Sequence, residues 1–330
     1  MTSWPDSSSE PVRNPRESKG KGKMENILIT GASGFVGTLV SERLLSSGYR
    51  VTGIGRSGHH PLSDRYDNFT WVSADTTGKG AWQEFAAAAD TVVNLAGQSI
   101  FGRWTKKYKK AIYDSRIETT KNVVDAIDPG LSVRLVNASA VGYYGDRADE
   151  TLTEEKEPGS GFLTDVSVDW EKAAVKAEER SASVAVMRFG VILGHGGALS
   201  KMLPAFRAGV GGPLAGGDHW MAWIHMADLL SGIVFLLENP LLAGSFNFTA
   251  PGIVRQKDFA AELGNKLSRP AFFPLPKFAV ALMMGELGEA LTQSQRAIPQ
   301  RLEQEGFVFA FPDIGGAFDD ILYDREKGKE

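Results

Sequence analysis

Residues 26–47, NILITGASGFVGTLVSERLLSS, carry the reading on which the rest of the chain depends. Asn26 to Ile29 is an apolar run of strand length. Gly31, Gly34 and Gly37 then recur at every third position, and Val36, Leu39, Val40, Arg43 and Leu44 follow at helical spacing until Gly48 ends the helix. Each glycine has its own task. Gly31 permits the tight turn, Gly34 lets the backbone approach a pyrophosphate, and Gly37 lets the helix pack close to the strand. The first N–H groups of such a helix have no intrahelical partner and are free to bind anionic oxygens. A second β-like run at residues 49–55, YRVTGIG, supplies the strand, turn and helix context that a glycine triplet needs before it signifies nucleotide binding.

The 330 residues suffice for a large core, in one large or two unequal domains. A net charge of −4 offers no general attraction to nucleic acid, and the locally basic residues 103–110, RWTKKYKK, read as a solvated helix face. The chain contains no cysteine, which removes disulfides, thiolate catalysis and zinc–thiolate centres together. No metal-binding residue is assigned. No apolar run reaches membrane-spanning length. Residues 1–23 are rich in Ser, Pro, Gly and charge and lack the apolar segment of a secretory signal, so disorder is expected there and the cytoplasm is the default compartment. The expected partners are an unidentified small-molecule substrate and at most a second copy of the chain.

Strand-like runs at residues 69–74, 91–97, 131–137 and 184–190 alternate with helical stretches at 82–89, 108–127 and 162–179. This alternation predicts an α/β fold, a Rossmann-type doubly wound parallel sheet. Residues 24–190 are assigned mainly to that nucleotide-binding domain. Residues 191–330 form a mixed region with a substrate wall or lid and a small, mainly helical C-terminal cap, some segments returning to the sheet. The acidic residues 146–161 read as a surface loop, and the aromatic run 220–228, WMAWIHMAD, as core or substrate wall. A further strand is expected at 245–248, helices at 256–266 and 278–291, and a hairpin-like segment at the chain end.

Ligands of such sheets sit at the carboxyl ends of the strands. Arg56 follows the second strand at the position facing the adenosine ribose, where an acidic side chain would bond a 2′-hydroxyl and an arginine pairs with a 2′-phosphate, which favours NADP(H) over NAD(H). Asp75 ends the third strand, placed either to accept from an adenine amino group or simply to start a loop.

TGASGFVG, NLAG, SAVGYYG and RFGVILG occur in this order, and the chain resembles the extended short-chain dehydrogenase/reductases. Residues 94–124 (NLAGQSIFGRWTKKYKKAIYDSRIETTKNVV), NASAVGYYGD at 137–146, the DWE at 169–171 and MAWIHMADL at 221–229 are similar to the atypical branch called the epimerase family, of SDR39U type. Residues 275–302 and 305–318 resemble that branch's C-terminal domain of unknown function. The resemblance spans about residues 24–322. It implies NADP(H) bound through Gly31, Ser33, Gly34, Phe35, Val36 and Gly37, with Arg56 and Ser57 at the 2′-phosphate and Asp75 near adenine. Leu95, Ala96 and Gly97 would lie along the ribose, and Phe189, Gly190 and Val191 would approach the nicotinamide. Arg116 lies in the SRIETT segment of the branch.

The superfamily's chemistry uses a Ser or Thr, a Tyr acid and a Lys that lowers the tyrosine's pKa. Ser139 matches the serine, to polarise the substrate oxygen. The helix around 162–171, FLTDVSVDWE, contains neither tyrosine nor lysine, and the exact YxxxK at 323–327 lies in a polar tail, where it reads as accidental. Tyr143, or else Tyr144, is the candidate replacement acid; otherwise both pack beside the cofactor. His225 and Asp228 read as a structural bond and a helix N-cap, and Glu171 as a substrate or structural carboxylate. Two functions follow: an NADP(H)-dependent oxidoreductase or epimerase acting on a small carbonyl or alcohol, or a catalytically silent NADP(H)-binding regulator.

Overall fold

The computed structural model describes residues 25–327; residues 1–23, where disorder is expected, lie outside them. Among the described residues, seven parallel strands form the main sheet: β1 (Asn26–Thr30), β2 (Arg50–Gly55), β3 (Phe69–Ser73), β4 (Thr91–Asn94), β5 (Arg134–Ala140), β6 (Ser183–Phe189) and β7 (Gly244–Phe248). Their spatial order is β7-β6-β5-β4-β1-β2-β3. The order reverses between β1 and β4, the crevice where doubly wound sheets bind ligands. Helices cover both faces, so the central strands are apolar almost throughout; Ile27, Leu28, Ile29, Val92, Val93, Leu135 and Val136 are at most 1% exposed.

Helix α1 (Phe35–Ser46) packs against α6 (Met226–Glu238) on one face. On the other, α2 (Trp82–Ala87), α3 (Lys106–Ala126) and α4 (Phe162–Val175) lie together. Thus α6 and β7, late in sequence, complete the sheet layer. Helices α5 (Gly197–Arg207), α7 (Gln256–Lys266), α8 (Lys277–Met284), α9 (Glu286–Leu291), α10 (Gln300–Gln304) and α11 (Ile314–Lys327) make up most of the remainder. A separate core of Leu199, Leu203, Phe206, Trp223, Phe259 and Phe318 ties α5, α7 and α11 together. No described helix is long and apolar enough to cross a membrane.

Four expectations need correction. The fifth strand runs later than expected and keeps Ser139 in regular structure, because its hydrogen-bonded register with β6 continues to Ala140. Residues 146–161 are not merely a surface loop: Leu152 and Glu154 are buried, and residues 151–152 pair with 296–297. The helix expected at 278–291 breaks at Gly285, whose φ of 56° leaves the helical region and separates α8 from α9. The chain end is α11 rather than a hairpin, since Ala317, Phe318 and Ile321 recur at helical spacing and bury one face.

Candidate active site

A polar ladder fixes the strand ends beneath the crevice. Thr30 Oγ1 donates to Asn94 Oδ1 (2.5 Å), and Asn94 Nδ2 donates to Asn137 Oδ1 (2.6 Å) and to Thr120 Oγ1 (2.8 Å). Trp170 Nε1 donates to the same Thr120 hydroxyl, joining α3 and α4 to the ladder. All four polar side chains are buried and paired, which sets a single register for the loops above them.

Two clefts open at these ends. The first, about 400 Å³, is lined by Gly31, Ser33, Gly34, Arg56, Asp75, Leu95, Ala96 and Gly97. Gly31 sits at φ 67°, and a Cβ there would meet Ala96 Cα at 2.9 Å; a Cβ on Gly37 would lie 2.2 Å from the Gly31 carbonyl. Only glycine permits this approach of turn, helix and neighbouring strand. Gly34 gives α1 no side-chain cap, leaving its first N–H groups to the cleft. Arg56 is exposed at the rim, and its charge helps hold the Asp75 carboxyl below its ordinary value, the larger causes being hydrogen bonds from the Thr77 hydroxyl and N–H. This uncapped, glycine-lined turn with an arginine at its edge fits a dinucleotide phosphate.

The second cleft, about 420 Å³, shares Leu95 and Gly97 with the first and is lined by Phe35, Val36, Arg116, Ser139, Phe189, Gly190 and Val191. Arg116 Nη1 donates to the Gln98 and Ile112 carbonyls, and burial lowers its pKa to about 10. Three sequence-predicted residues fall outside both linings. Gly37 lies beneath the turn. Ser57 is exposed, its carbonyl accepting from Trp71 Nε1. Tyr143 is half-buried with its ring 3.6 Å from the Arg188 guanidinium, and burial raises its pKa.

Behind the second cleft lies a buried charged network. Ser139 Oγ donates to Glu171 Oε1 (2.6 Å), and Glu171 takes a two-pronged ion pair from Arg188, Nε to Oε1 at 2.9 Å and Nη2 to Oε2 at 2.8 Å. The side chains of Arg188 and Glu171 are 4% and 10% exposed. Arg188 Nη1 also donates to the Tyr144 hydroxyl and the Glu154 carbonyl, and the Tyr144 hydroxyl is 2.8 Å from Asn247 Oδ1. Burial drives the Tyr144 pKa to about 12. Ser139, expected to polarise a substrate oxygen, therefore has its own proton committed and presents lone pairs instead.

His225 and Asp228 are structural here. His225 Nδ1 accepts from the Ala227 N–H at the start of α6, and Asp228 accepts from the Ala310 and Phe311 N–H groups. In the basic stretch, Lys109 pairs with Glu286 and Lys110 with Asp114.

Comparison with known proteins agrees with this geometry. The NAD dependent epimerase/dehydratase family matches residues 27–247, and a domain of unknown function, DUF1731, matches residues 275–321. The Arabidopsis thaliana "Epimerase family protein SDR39U1 homolog, chloroplastic" is 36% identical over 92% of this chain and 89% of its own. Bacillus subtilis epimerase family protein YfhF is 34% identical over 91% of this chain and 99% of its own. The crystal structure of human epimerase family protein SDR39U1 (isoform 2) with NADPH superposes with a TM-score of 0.79 at 31% identity, covering 91% of this chain and 99% of that one. The chain belongs to the epimerase family. Among its described residues, this epimerase-family protein places no tyrosine, lysine or carboxylate on the wall of the second cleft; α4 contributes Leu163, Val166, Ser167 and Trp170 there.

Sequence reasoning left Arg188 and Glu154 without a role. A signal for Arg188 was present: an arginine inside the apolar strand VAVMRF must be paired to be buried, and Glu171 is its partner. Glu154 gives no comparable sign, because it lies in an acidic run and its Oε1 accepts from the Asn247 and Arg301 N–H groups only through the fold.

Proposed function

We propose that this protein binds NADP(H) across the two clefts and exchanges hydride with a small alcohol or carbonyl substrate. The single observation that carries the reading is that the glycine turn and Ser139 border two clefts that share Leu95 and Gly97. Gly31, Ser33, Gly34 and the start of α1 hold the pyrophosphate, Arg56 and Ser57 the 2′-phosphate, Asp75 the adenine, and Leu95 to Gly97 the ribose. Phe35, Val36, Arg116 and Phe189 to Val191 surround the nicotinamide, with Gly37 keeping the turn close. The NADPH in the human SDR39U1 structure supports the choice of cofactor. When bound, the cofactor supplies or accepts the hydride.

The proton is handled by the chain. A substrate hydroxyl donates to Ser139 Oγ, whose own proton already points at Glu171; in reduction the same path runs in reverse. Arg188 fixes the carboxylate, and Tyr143, stacked on Arg188 rather than lining the cleft, positions that guanidinium instead of serving as the acid.

A second reading, a catalytically silent NADP(H)-binding protein, is favoured by the cleft's lack of tyrosine and lysine and by the committed Ser139 proton. NADPH oxidation with a panel of small ketones and aldehydes separates the two. Ketone-dependent turnover that disappears in Ser139→Ala, with NADPH affinity retained, supports the enzyme. Tight NADPH binding with no turnover across the panel supports the silent binder.

A further inference from the structure

We infer that the second cleft takes an uncharged, elongated hydroxy or keto compound, apolar in its middle and ending in a neutral hydrogen-bonding group, rather than a nucleoside diphosphate sugar. This deepens the hydride-exchange reading and rests on it.

Helix α4 serves as a ruler. Glu171, near its end, holds Ser139, whereas Gly161, just before its start, lies beside Gln293: a Cβ on Gly161 would be 3.6 Å from Gln293 Nε2. Ten residues of helix rise by about 15 Å, so the reacting end and the Gln293 end are well separated. Between them the walls are apolar, formed by Leu163, Val166, Trp170, Trp220, Met221 and Leu291. Trp220 is held rigidly: Arg255 and Arg296 lie 4.6 and 4.7 Å from its ring centroid, and its Nε1 donates to Asp149.

Three polar side chains, His219, Gln293 and Gln295, also line the cleft, with Gln293 at the Gly161 end. Ser294 between the glutamines is tied inward, its N–H donating to Asp146 and its hydroxyl to the Ala148 carbonyl while accepting from the Trp220 N–H. This alternation directs Gln293 and Gln295 to the cleft. Among the described residues none of the three side chains has a hydrogen-bond partner, so their amide and imidazole groups are available to a ligand. Burial holds His219 below its ordinary pKa of 6.5 against the pull of Asp146 and Asp218, which favours the neutral imidazole at physiological pH.

Charge argues against a diphosphate. Arg116 is the one arginine or lysine lining the cleft among the described residues, and it lies against Gly97 with Nη1 already donating to two carbonyls. A nucleoside diphosphate brings at least two negative charges, which need paired cations when desolvated. The nicotinamide would also occupy part of the roughly 420 Å³, leaving space for a small ligand.

The test uses the full chain with bound NADP⁺ and compares benzylacetone, its para-hydroxyl derivative and UDP-glucose by saturation-transfer NMR and calorimetry. The hydroxyl derivative is expected to bind about fivefold more tightly than benzylacetone, the difference of one hydrogen bond. The double variant Gln293→Leu/Gln295→Leu should erase that difference without weakening benzylacetone. UDP-glucose binding more tightly than both ketones, no binding of either ketone to the NADP⁺-loaded protein, or a hydroxyl preference that survives in the double variant, each overturns the inference. NADP⁺ titration of the same samples distinguishes the parent reading: failure to bind the cofactor defeats that reading, whereas cofactor binding without ketone binding defeats this inference alone.

Discussion

Arg188 shows how much one residue organises in this molecule. It joins β6 to α4 through Glu171, to the turn after β5 through Tyr144, and to the buried segment at Glu154 through a carbonyl. Removing one partner of such a pair leaves the other charge buried and alone. Glu171→Ala is therefore expected to destabilise the protein by about 3–5 kcal/mol, whereas an exposed control such as Glu178→Ala changes stability by less than about 0.5 kcal/mol; urea unfolding measures both. The network was only partly legible in the sequence. Ser139 and Glu171 were each visible, but they are 32 residues apart and their bond exists only once α4 packs on β5. The glycine turn is more legible: Gly37 is constrained by Gly31 and Ala32 a few residues away, whereas the close approach of Gly31 to Ala96 exists only once β4 lies beside β1.

Elements were read well where periodicity is unbroken and poorly where backbone conformation intervenes. Helix α7 runs from Gln256 to Lys266 as its sequence indicates, yet the apolar run 278–291 conceals the break at Gly285. A Cβ at Gly285 would meet nothing within 4 Å, so Gly285→Ala isolates backbone strain at φ 56°, ψ −140°, a conformation outside the left-handed helical region, and should cost about 1–3 kcal/mol in thermal or urea unfolding. Gly37→Ala is a different case. Its Cβ would collide with the Gly31 carbonyl and Ala32 Cα, both backbone atoms, so the turn must open. The expected result is a loss of about 1–3 kcal/mol in stability together with loss of NADPH binding, checked by unfolding and titration on the same preparation. The burial of Leu152 and Glu154 is hidden in the sequence, because the acidic, turn-rich composition around them describes their exposed neighbours.

For the whole molecule, the ordered motifs carry the family assignment and the alternation of strands and helices carries the sheet, while the packing of the C-terminal elements comes from the structure. One such contact has a pH signature. His225 lies at the junction of α6 and α11, 3.3 Å from Asp320, and burial lowers its pKa below 6.5 despite the opposing pull of Asp320 and Asp228. The folded state then resists protonation that the unfolded chain accepts. The resulting stability is complete above about pH 6.5 and is lost as the pH falls through the lower folded-state value. His225→Asn keeps a side-chain acceptor for the helix start and should flatten this acid slope, as measured by urea midpoints between about pH 7.5 and pH 5.5.

On the function proposed above, the cleft at the β1–β4 reversal holds NADP(H) with its 2′-phosphate at Arg56. Fluorescence titration of NADPH and NADH against wild type and Arg56→Ala measures that preference. The expected result is NADPH binding about tenfold or more tightly than NADH, with the variant losing that preference and leaving NADH affinity unchanged. Equal binding of the two cofactors, or an NADPH preference that survives in Arg56→Ala, would contradict it.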